Sequence, residues 1–259
     1  MYISKLFKKY NFTLQSTSIE MNFKKNNPDF ESSIKTILDN TNNQRKDLIL
    51  VNQTHSNIIL ESPYIKPDTQ ADGIILKDMS KIAGIKTADC IPLILLDTVL
   101  KVAIFLHVGR KGGRDGIVEN AFKIFRNCYN SKPENIIAYL GPNLEFNHHI
   151  IFEEEMEGFD LKYFIPLPKG THIIDNQFLY DNYKLNFGYT DETIKTKNSG
   201  YFDYKTLIVD KLLAFGLTPE NIDDCKIESY NNKQYHSYRR DAPDNGLMLT
   251  YGYFESQDS

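Results

Sequence analysis

Between Lys81 and His107 the chain carries three apolar runs, Lys81–Thr87, Ile91–Leu96 and Leu100–His107, joined by links of only three residues. Runs of this length that are rich in β-branched residues read as strands. A chain built around such a series is a mixed-sheet protein rather than a helical bundle. Asp47–Gln53 reads as a further buried strand, with His55 just beyond its end. Asn135–Leu140 stops at Gly141-Pro142, and Cys225–Tyr230 and Gly246–Phe254 look like closing strands.

Helices are few and separated. Asp29–Leu38 has an acidic first turn. Val118, Ala121, Phe122, Phe125 and Tyr129 recur at helical spacing. Asp203–Phe215 sets Tyr204, Leu207, Ile208, Leu212 and Phe215 on one face, with Gly216 where a C-terminal cap belongs. From Phe159 to Gly200 the chain is polar, Tyr-rich and unperiodic, and the pattern assigns nothing there. With 259 residues, 41% of them hydrophobic, and neither internal repeat nor long linker, residues 1–259 are expected to form a single domain.

A formal net charge of −4 provides no excess of positive charge for nucleic acid or an anionic membrane. A small-molecule substrate is the expectation. The N-terminus has no apolar run of signal-peptide length, and Ile91–Leu96, the longest apolar stretch, is too short to span a bilayer. Three cysteines, Cys90, Cys128 and Cys225, do not make a disulfide framework. A cytoplasmic protein without a membrane partner is expected. The sequence assigns no oligomeric state.

His55, Cys90 and His107 each end an apolar run, and strand ends along one sheet edge are where active sites collect. One thiolate with two imidazoles is a zinc ligand set, and three protein ligands leave a fourth position for water or substrate. Each residue taken singly has a plainer reading. A buried cysteine is usually an inert small hydrophobe, and a histidine at a strand end usually just a hydrogen-bonded polar group.

The neighbouring residues bear on that choice. Gln53-Thr54-His55, Ala71-Asp72-Gly73, Thr87-Ala88-Asp89-Cys90-Ile91-Pro92, His107-Val108-Gly109, Leu140-Gly141-Pro142, Phe152-Glu153 and Ser237-Tyr238-Arg239-Arg240-Asp241 with Gly246 follow one another in order. Together they resemble the laccase-domain family, also called polyphenol oxidase or peptidoglycan editing factor, from about Ser16 to the C-terminus. The resemblance implies an α+β fold, a four-layer α-β-β-α sandwich with mixed sheets. It also implies a zinc-dependent purine nucleoside phosphorylase with adenosine deaminase and methylthioadenosine phosphorylase activity, and hence purine nucleosides and phosphate as partners. Motif by motif, the zinc ligands fall on His55, Cys90 and His107.

The chain departs from the family at three places. Ser18 follows Ser16-Thr17 where Arg is usual. Val108-Gly109-Arg110-Lys111-Gly112 replaces Ala-Gly-Trp-Arg-Gly, and Asn147-His148-His149 stands where a Cys-Cys pair is common. Lysine for arginine is not neutral at a bidentate anion site.

Asp89 is the expected catalytic carboxylate, either orienting a histidine ligand or carrying a proton; its alternative is a turn-capping aspartate. Gln53 is expected to bind substrate. Arg110, Lys111 and Arg114, in a glycine-rich entry to a helix, are expected to hold phosphate through charge and free N–H groups, against a solvated basic loop. Arg239 and Arg240 are expected to bind phosphate or close an ion pair, one of each. His148, His149, His172 and His236 read as surface or hydrogen-bonded residues.

Two other chemistries fit parts of this set. A copper-dependent polyphenol oxidase would use copper instead of zinc, but a multicopper centre needs many paired histidines. This chain has six His in all and no His-x-His. A metal-free hydrolase or deamidase would use Cys90 as nucleophile with His107 or His55 as base.

Overall fold

The three apolar runs are strands, but they do not share a sheet. The computed structural model describes residues 1–41, 47–169, 171 and 176–255, apart from the side chains of 186 and 187. Its strands are β1 (Tyr2–Ile3), β2 (Phe12–Ser16), β3 (Asp47–Ile49), β4 (Ile59–Glu61), β5 (Gly73–Leu76), β6 (Lys81–Thr87), β7 (Ile91–Asp97), β8 (Val102–Val108), β9 (Ile136–Leu140), β10 (Ile150–Phe152), β11 (Phe164–Pro166), β12 (Ser199–Phe202), β13 (Ile222–Asp224) and β14 (Met248–Phe254). One mixed sheet runs β1-β2-β14-β6-β3, and a second runs β13-β9-β7-β8-β5-β4. The strands β10-β12-β11 make a small third sheet. The chain leaves the first sheet at Thr87 and enters the second at Ile91, so Ala88-Asp89-Cys90 is the crossing between them.

The helices are α1 (Lys5–Lys8), α2 (Phe30–Asp39), α3 (Arg110–Arg114), α4 (Ile117–Tyr129), α5 (Gln177–Phe187), α6 (Asp191–Thr196), α7 (Tyr204–Ala214) and α8 (Tyr238–Asp241). Ile37 of α2 packs on Ile82, Leu249 and Tyr251 at the outer face of the first sheet. Inward from that sheet, Phe12, Leu14, Ala83 and Ile85 meet Ile74, Leu76, Ile94, Leu96 and Phe105 of the second. The second sheet's other face, with Leu93, Leu95, Ile104 and Leu106, is covered by α4 and α7. This is the four-layer α-β-β-α sandwich of α+β class that the resemblance implies. It explains why β7 is a continuous apolar run rather than an alternating one: both of its faces are buried.

Several boundaries differ from the sequence reading. The strand expected at Asp47–Gln53 ends at Ile49 and is a partly exposed edge strand. Beyond it, Gln53 turns its side-chain amide onto the backbone of Lys86 instead. The strand expected at Cys225–Tyr230 lies earlier, at Ile222–Asp224. The Asp224 carboxylate then accepts the Lys226 N–H, and Lys226 takes a left-handed φ of 55°, which turns the chain away. The unassigned middle region folds as β11, α5, α6 and β12. The helix read at Asp203–Phe215 is present, with the Asp203 carboxylate accepting the Thr206 N–H and Gly216 at φ 100° beyond its end.

Phe105 sits between the sheets with none of its surface exposed, 6.2 Å from the ring of Phe12. Phe105→Ala should cost about 3–5 kcal/mol in urea unfolding. A loss below about 1 kcal/mol would show that the two sheets close over the vacancy.

Candidate metal centre

The alternation that fills the space between the sheets also builds the site. On β8, Ala103 and Phe105 point to the first sheet, and His107 is the next residue on that face. On β5, Ile74 and Leu76 share that face, and Asp72 precedes them at the strand's start. Because Gly73 pairs with Leu106, Asp72 comes directly opposite His107. The pair forms twice: the His107 N–H donates to the Asp72 carbonyl at 2.8 Å, and His107 Nδ1 lies 2.7 Å from Asp72 Oδ1.

Asp72 does more than orient one ring. Its carboxylate accepts the backbone N–H groups of Thr54, His55 and Ser56 at 3.1, 3.0 and 2.7 Å, and the Ser56 hydroxyl at 2.7 Å. These bonds hold His55 at φ 59°, a left-handed conformation uncommon for a residue with a side chain. Burial works against the charged carboxylate, but hydrogen bonds from His107 and Ser56 outweigh it and hold Asp72 well below the usual carboxylate range.

The β7–β8 ladder pairs Ile91 with Val108, so Cys90 falls opposite Gly109. The ligand atoms of His55, Cys90 and His107 all lie within 4.8 Å of one another, and Cys90 Sγ is 3.8 Å from His55 Nε2. Zinc bonds of about 2.0–2.3 Å at tetrahedral angles separate ligand atoms by about 3.5 Å, so the three need move little to share an ion. A Cβ on Gly109 would stand 2.5 Å from His55 Cδ2 and 3.3 Å from Cys90 Sγ; only glycine leaves this space open.

Burial would raise the Cys90 thiol, yet His107, and His55 after it, bring it down to about 6. Burial would likewise suppress the His107 cation, but Cys90 and Asp72 lift it to about 9. Without a metal the two side chains therefore form a thiolate–imidazolium pair at neutral pH.

Two cavities open on the cluster and share His55, Ala88, Cys90 and Tyr238. One, of about 380 Å³, includes Asp89, Arg110, Lys111, His149, Tyr183 and Arg239 in its wall. The other, of about 390 Å³, includes Gln53, Lys86, Thr87 and His107. Arg110 and Glu155 form an ion pair at 2.5 Å on the first wall, and Glu155 also accepts the Tyr183 hydroxyl. Burial, then Arg110 and Arg239, push His149 down to about 3, so its ring is neutral at physiological pH.

The remaining expected site residues are distributed unevenly. Asp89 does not orient a histidine; Asp72 has that position. The Asp89 carboxylate accepts the Ser229 hydroxyl and the Arg239 N–H, both at 2.6 Å, and so ties the cysteine crossing to α8. The glycine-rich stretch is not a loop. It forms α3, where Gly113 N–H donates to Gly109 and Asp115 N–H to Lys111. Lys111 and Arg114 both pair with Asp115, and Lys111 borders the cavity of about 380 Å³. Arg240 is taken up by the carbonyls of Ser229, Tyr230 and Tyr235 and by Asp241. Of the two adjacent arginines, Arg239 faces the cavity. Gln53 is the backbone clamp described above, though it also borders a cavity. His148 stacks on Tyr230, His236 lies 3.1 Å from the Met21 carbonyl, and His172 lies outside the described residues. The sequence offers no role for Asp72 or Glu155, and His149, read there as a surface or hydrogen-bonded residue, lines the cavity. Asp72 stood inside a quoted motif without a role, whereas Glu155 and His149 carry no local signal.

The family described as multi-copper polyphenol oxidoreductase laccase matches residues 5–254. A purine nucleoside phosphorylase of Clostridium acetobutylicum is 27% identical over 252 residues, 95% of this chain and 93% of that protein. One of Haemophilus influenzae is 33% identical over 94 residues, covering 36% and 37% of the two chains. Among solved structures, YlmD from Geobacillus stearothermophilus superposes with a TM-score of 0.75 at 14% identity over 98% of this chain and 94% of its own. The hypothetical protein YfiH of Bacillus licheniformis gives 0.71 at 16% over 94% and 91%. These likenesses show the same fold.

Two outcomes follow from this geometry. In chelator-treated protein, alkylation of Cys90 by iodoacetamide, followed by peptide mass mapping, should rise with pH through an inflection near 6 and be suppressed by added zinc. An inflection at the free-thiol value would remove the paired thiolate. Asp72→Asn should weaken metal binding by roughly 10–100-fold in competitive chelator titrations. An unchanged affinity would show that Asp72 does not position His107.

Proposed function

The chain belongs to the family described as multi-copper polyphenol oxidoreductase laccase, and on that premise we propose that it is a zinc-dependent purine nucleoside phosphorylase. On this reading it also deaminates adenosine and cleaves methylthioadenosine, as one domain working in the cytoplasm. The observation that carries the reading is the convergence of His55, Cys90 and His107 beside two cavities. One thiolate and two imidazoles suit zinc, and a three-ligand site leaves a position for chemistry. Zinc held there would supply Lewis-acid polarisation of an oxygen.

The protein's own groups do the rest. Asp72 keeps His107 in the tautomer that offers Nε2 to the cluster. The cavity of about 380 Å³ has the size and mixed wall of a small-ligand site. Tyr183, Tyr238 and Leu144 offer apolar surface to a purine ring, and the Arg110–Glu155 pair offers a donor and an acceptor to its edge. Arg239 and Lys111 border the same space. Asp89 lines it as well and remains the candidate proton carrier. In phosphorolysis a phosphate oxygen bonds to C1′ of the sugar as the bond from C1′ to the base nitrogen breaks. The electron pair leaves with the base, which takes up a proton.

One observation favours a second reading. Cys90, His107 and Asp72 stand in the order nucleophile, base and orienting carboxylate, which suits a metal-free cysteine hydrolase or deamidase. That reading leaves His55 without a task. A copper oxidase gains nothing comparable, since the chain has six histidines and three of them bear on the cluster or the cavity beside it.

Zinc-loaded protein incubated with inosine, adenosine or methylthioadenosine should release the free base only when phosphate is present. Ammonia should appear from adenosine with or without phosphate. His55→Ala should lower metal content and both activities together, and Cys90→Ala should abolish them. Full activity after rigorous metal removal would turn the assignment to the cysteine hydrolase, and stoichiometric copper with phenol oxidation would turn it to the oxidase.

A further inference from the structure

The two cavities beside the cluster differ in charge. The one containing Arg110 and Arg239 also contains Glu155 and Asp89. Arg110 is paired with Glu155, and Lys111 with Asp115. The other cavity is lined by Lys86 and Lys25 and by no carboxylate. Lys25 pairs with the exposed Asp68. Among the described residues nothing pairs with the Lys86 ammonium group, although Lys86 is partly buried.

The surroundings fix the backbone of Lys86 without neutralising its side chain. Gln53 Nε2 donates to the Lys86 carbonyl at 2.7 Å, and the Lys86 N–H donates to Gln53 Oε1 at 2.9 Å. Gln53 therefore clamps the backbone at the residue carrying the cation. Burial, and Lys25 after it, pull the Lys86 ammonium below the ordinary lysine value, so an anion placed there would offset both effects. An unpaired cation in a cavity lined by no carboxylate makes a site for a small oxyanion.

Building on the phosphorylase reading, we infer that the Lys86 cavity is a phosphate subsite, with Lys86 as its charged donor. It opens on the same His55–Cys90 pair as the cavity that holds Arg110 and Glu155. This divides the two substrates: the nucleoside takes the cavity with paired charges and aromatic walls, and the phosphate takes the cavity with an unpaired cation. It also moves the anion site away from the glycine-rich stretch, whose Lys111 and Arg114 pair with Asp115.

The test is calorimetric titration of zinc-loaded protein with inorganic phosphate and, separately, with a nucleoside 5′-monophosphate, on wild type, K86Q, K86R and K111A. K86Q should weaken phosphate binding roughly tenfold or more, K86R should retain most of it, and K111A should leave it unchanged. Unaltered melting temperatures and zinc content exclude a folding defect. Lys86-dependent binding of free phosphate identifies the cosubstrate. Lys86-dependent binding of the monophosphate alone makes the subsite one for an ester phosphate on the substrate. Equal phosphate binding by wild type and K86Q, loss with K111A instead, or no binding of either ligand by wild type overturns the inference. Purine release with a phosphate KM unmoved in K86Q would end this inference and leave the phosphorylase reading standing. Lys86-dependent phosphate binding without purine release would do the reverse.

Discussion

The carboxylate of Asp72 is the constraint on which the His55–Cys90–His107 cluster depends. It is fully buried, and burying a charge is costly unless it is paired and hydrogen-bonded. Here it receives three successive backbone N–H groups, one hydroxyl and one imidazole. The two halves of that list belong to different parts of the chain. The N–H groups fix the 54–56 turn and with it His55; the imidazole is His107, separated from that turn by four strands in sequence and adjacent in space. One buried charge thus sets the relative position of two ligands, and the third, Cys90, arrives by the β7–β8 register alone.

That arrangement is possible because the site lies where the inter-sheet core ends. The face of β8 that buries Ala103 and Phe105 continues to His107, and the face of β5 that buries Ile74 continues back to Asp72. Polar residues at these two positions would be intolerable one step deeper between the sheets. At the rim they satisfy one another and meet the crossing that carries Cys90. The left-handed φ of 81° at Asp89 belongs to the same construction. The chain must turn sharply to pass from one sheet to the other within three residues, and bonds from Ser229 and Arg239 hold that turn.

Much of this was legible in the sequence, and what was not has a physical reason. Strand periodicity marked β6, β7, β8 and β9 within a residue or two, because their burial on one or both faces leaves a strong apolar signal. The His55, Cys90 and His107 cluster was legible because each residue follows or ends such a run. Asp47–Gln53 was misjudged because Val51, which packs in the inter-sheet core from outside any strand, extended the apolar pattern past Ile49. The Phe159–Gly200 region was opaque because its order comes from aromatic contacts between distant residues. Phe152, for example, meets the rings of Tyr183 and Tyr189 edge-on at 5.1 and 5.4 Å. No periodicity encodes such contacts. The electrostatic division of the cavities was equally invisible, since Arg110 and Glu155, or Lys86 and Gln53, are partners only in space.

The glycine-rich stretch after His107 shows why composition alone misleads about an anion site. Glycines with nearby basic residues suggest a phosphate loop, where backbone N–H groups point outward. In this chain the same glycines serve close approach. A Cβ on Gly109 would press on His55, and one on Gly112 would stand 2.6 Å from the Ser56 carbonyl oxygen. Both contacts are with the turn that Asp72 organises. The glycines let α3 lie against that turn, and the Gly113 and Asp115 N–H groups bond within the stretch itself. The basic residues are then free to pair locally with Asp115 or across the cavity with Glu155, and they do. The stretch therefore bears on the chemistry by leaving room for the ligands, and the charge that an anion requires has to come from another strand.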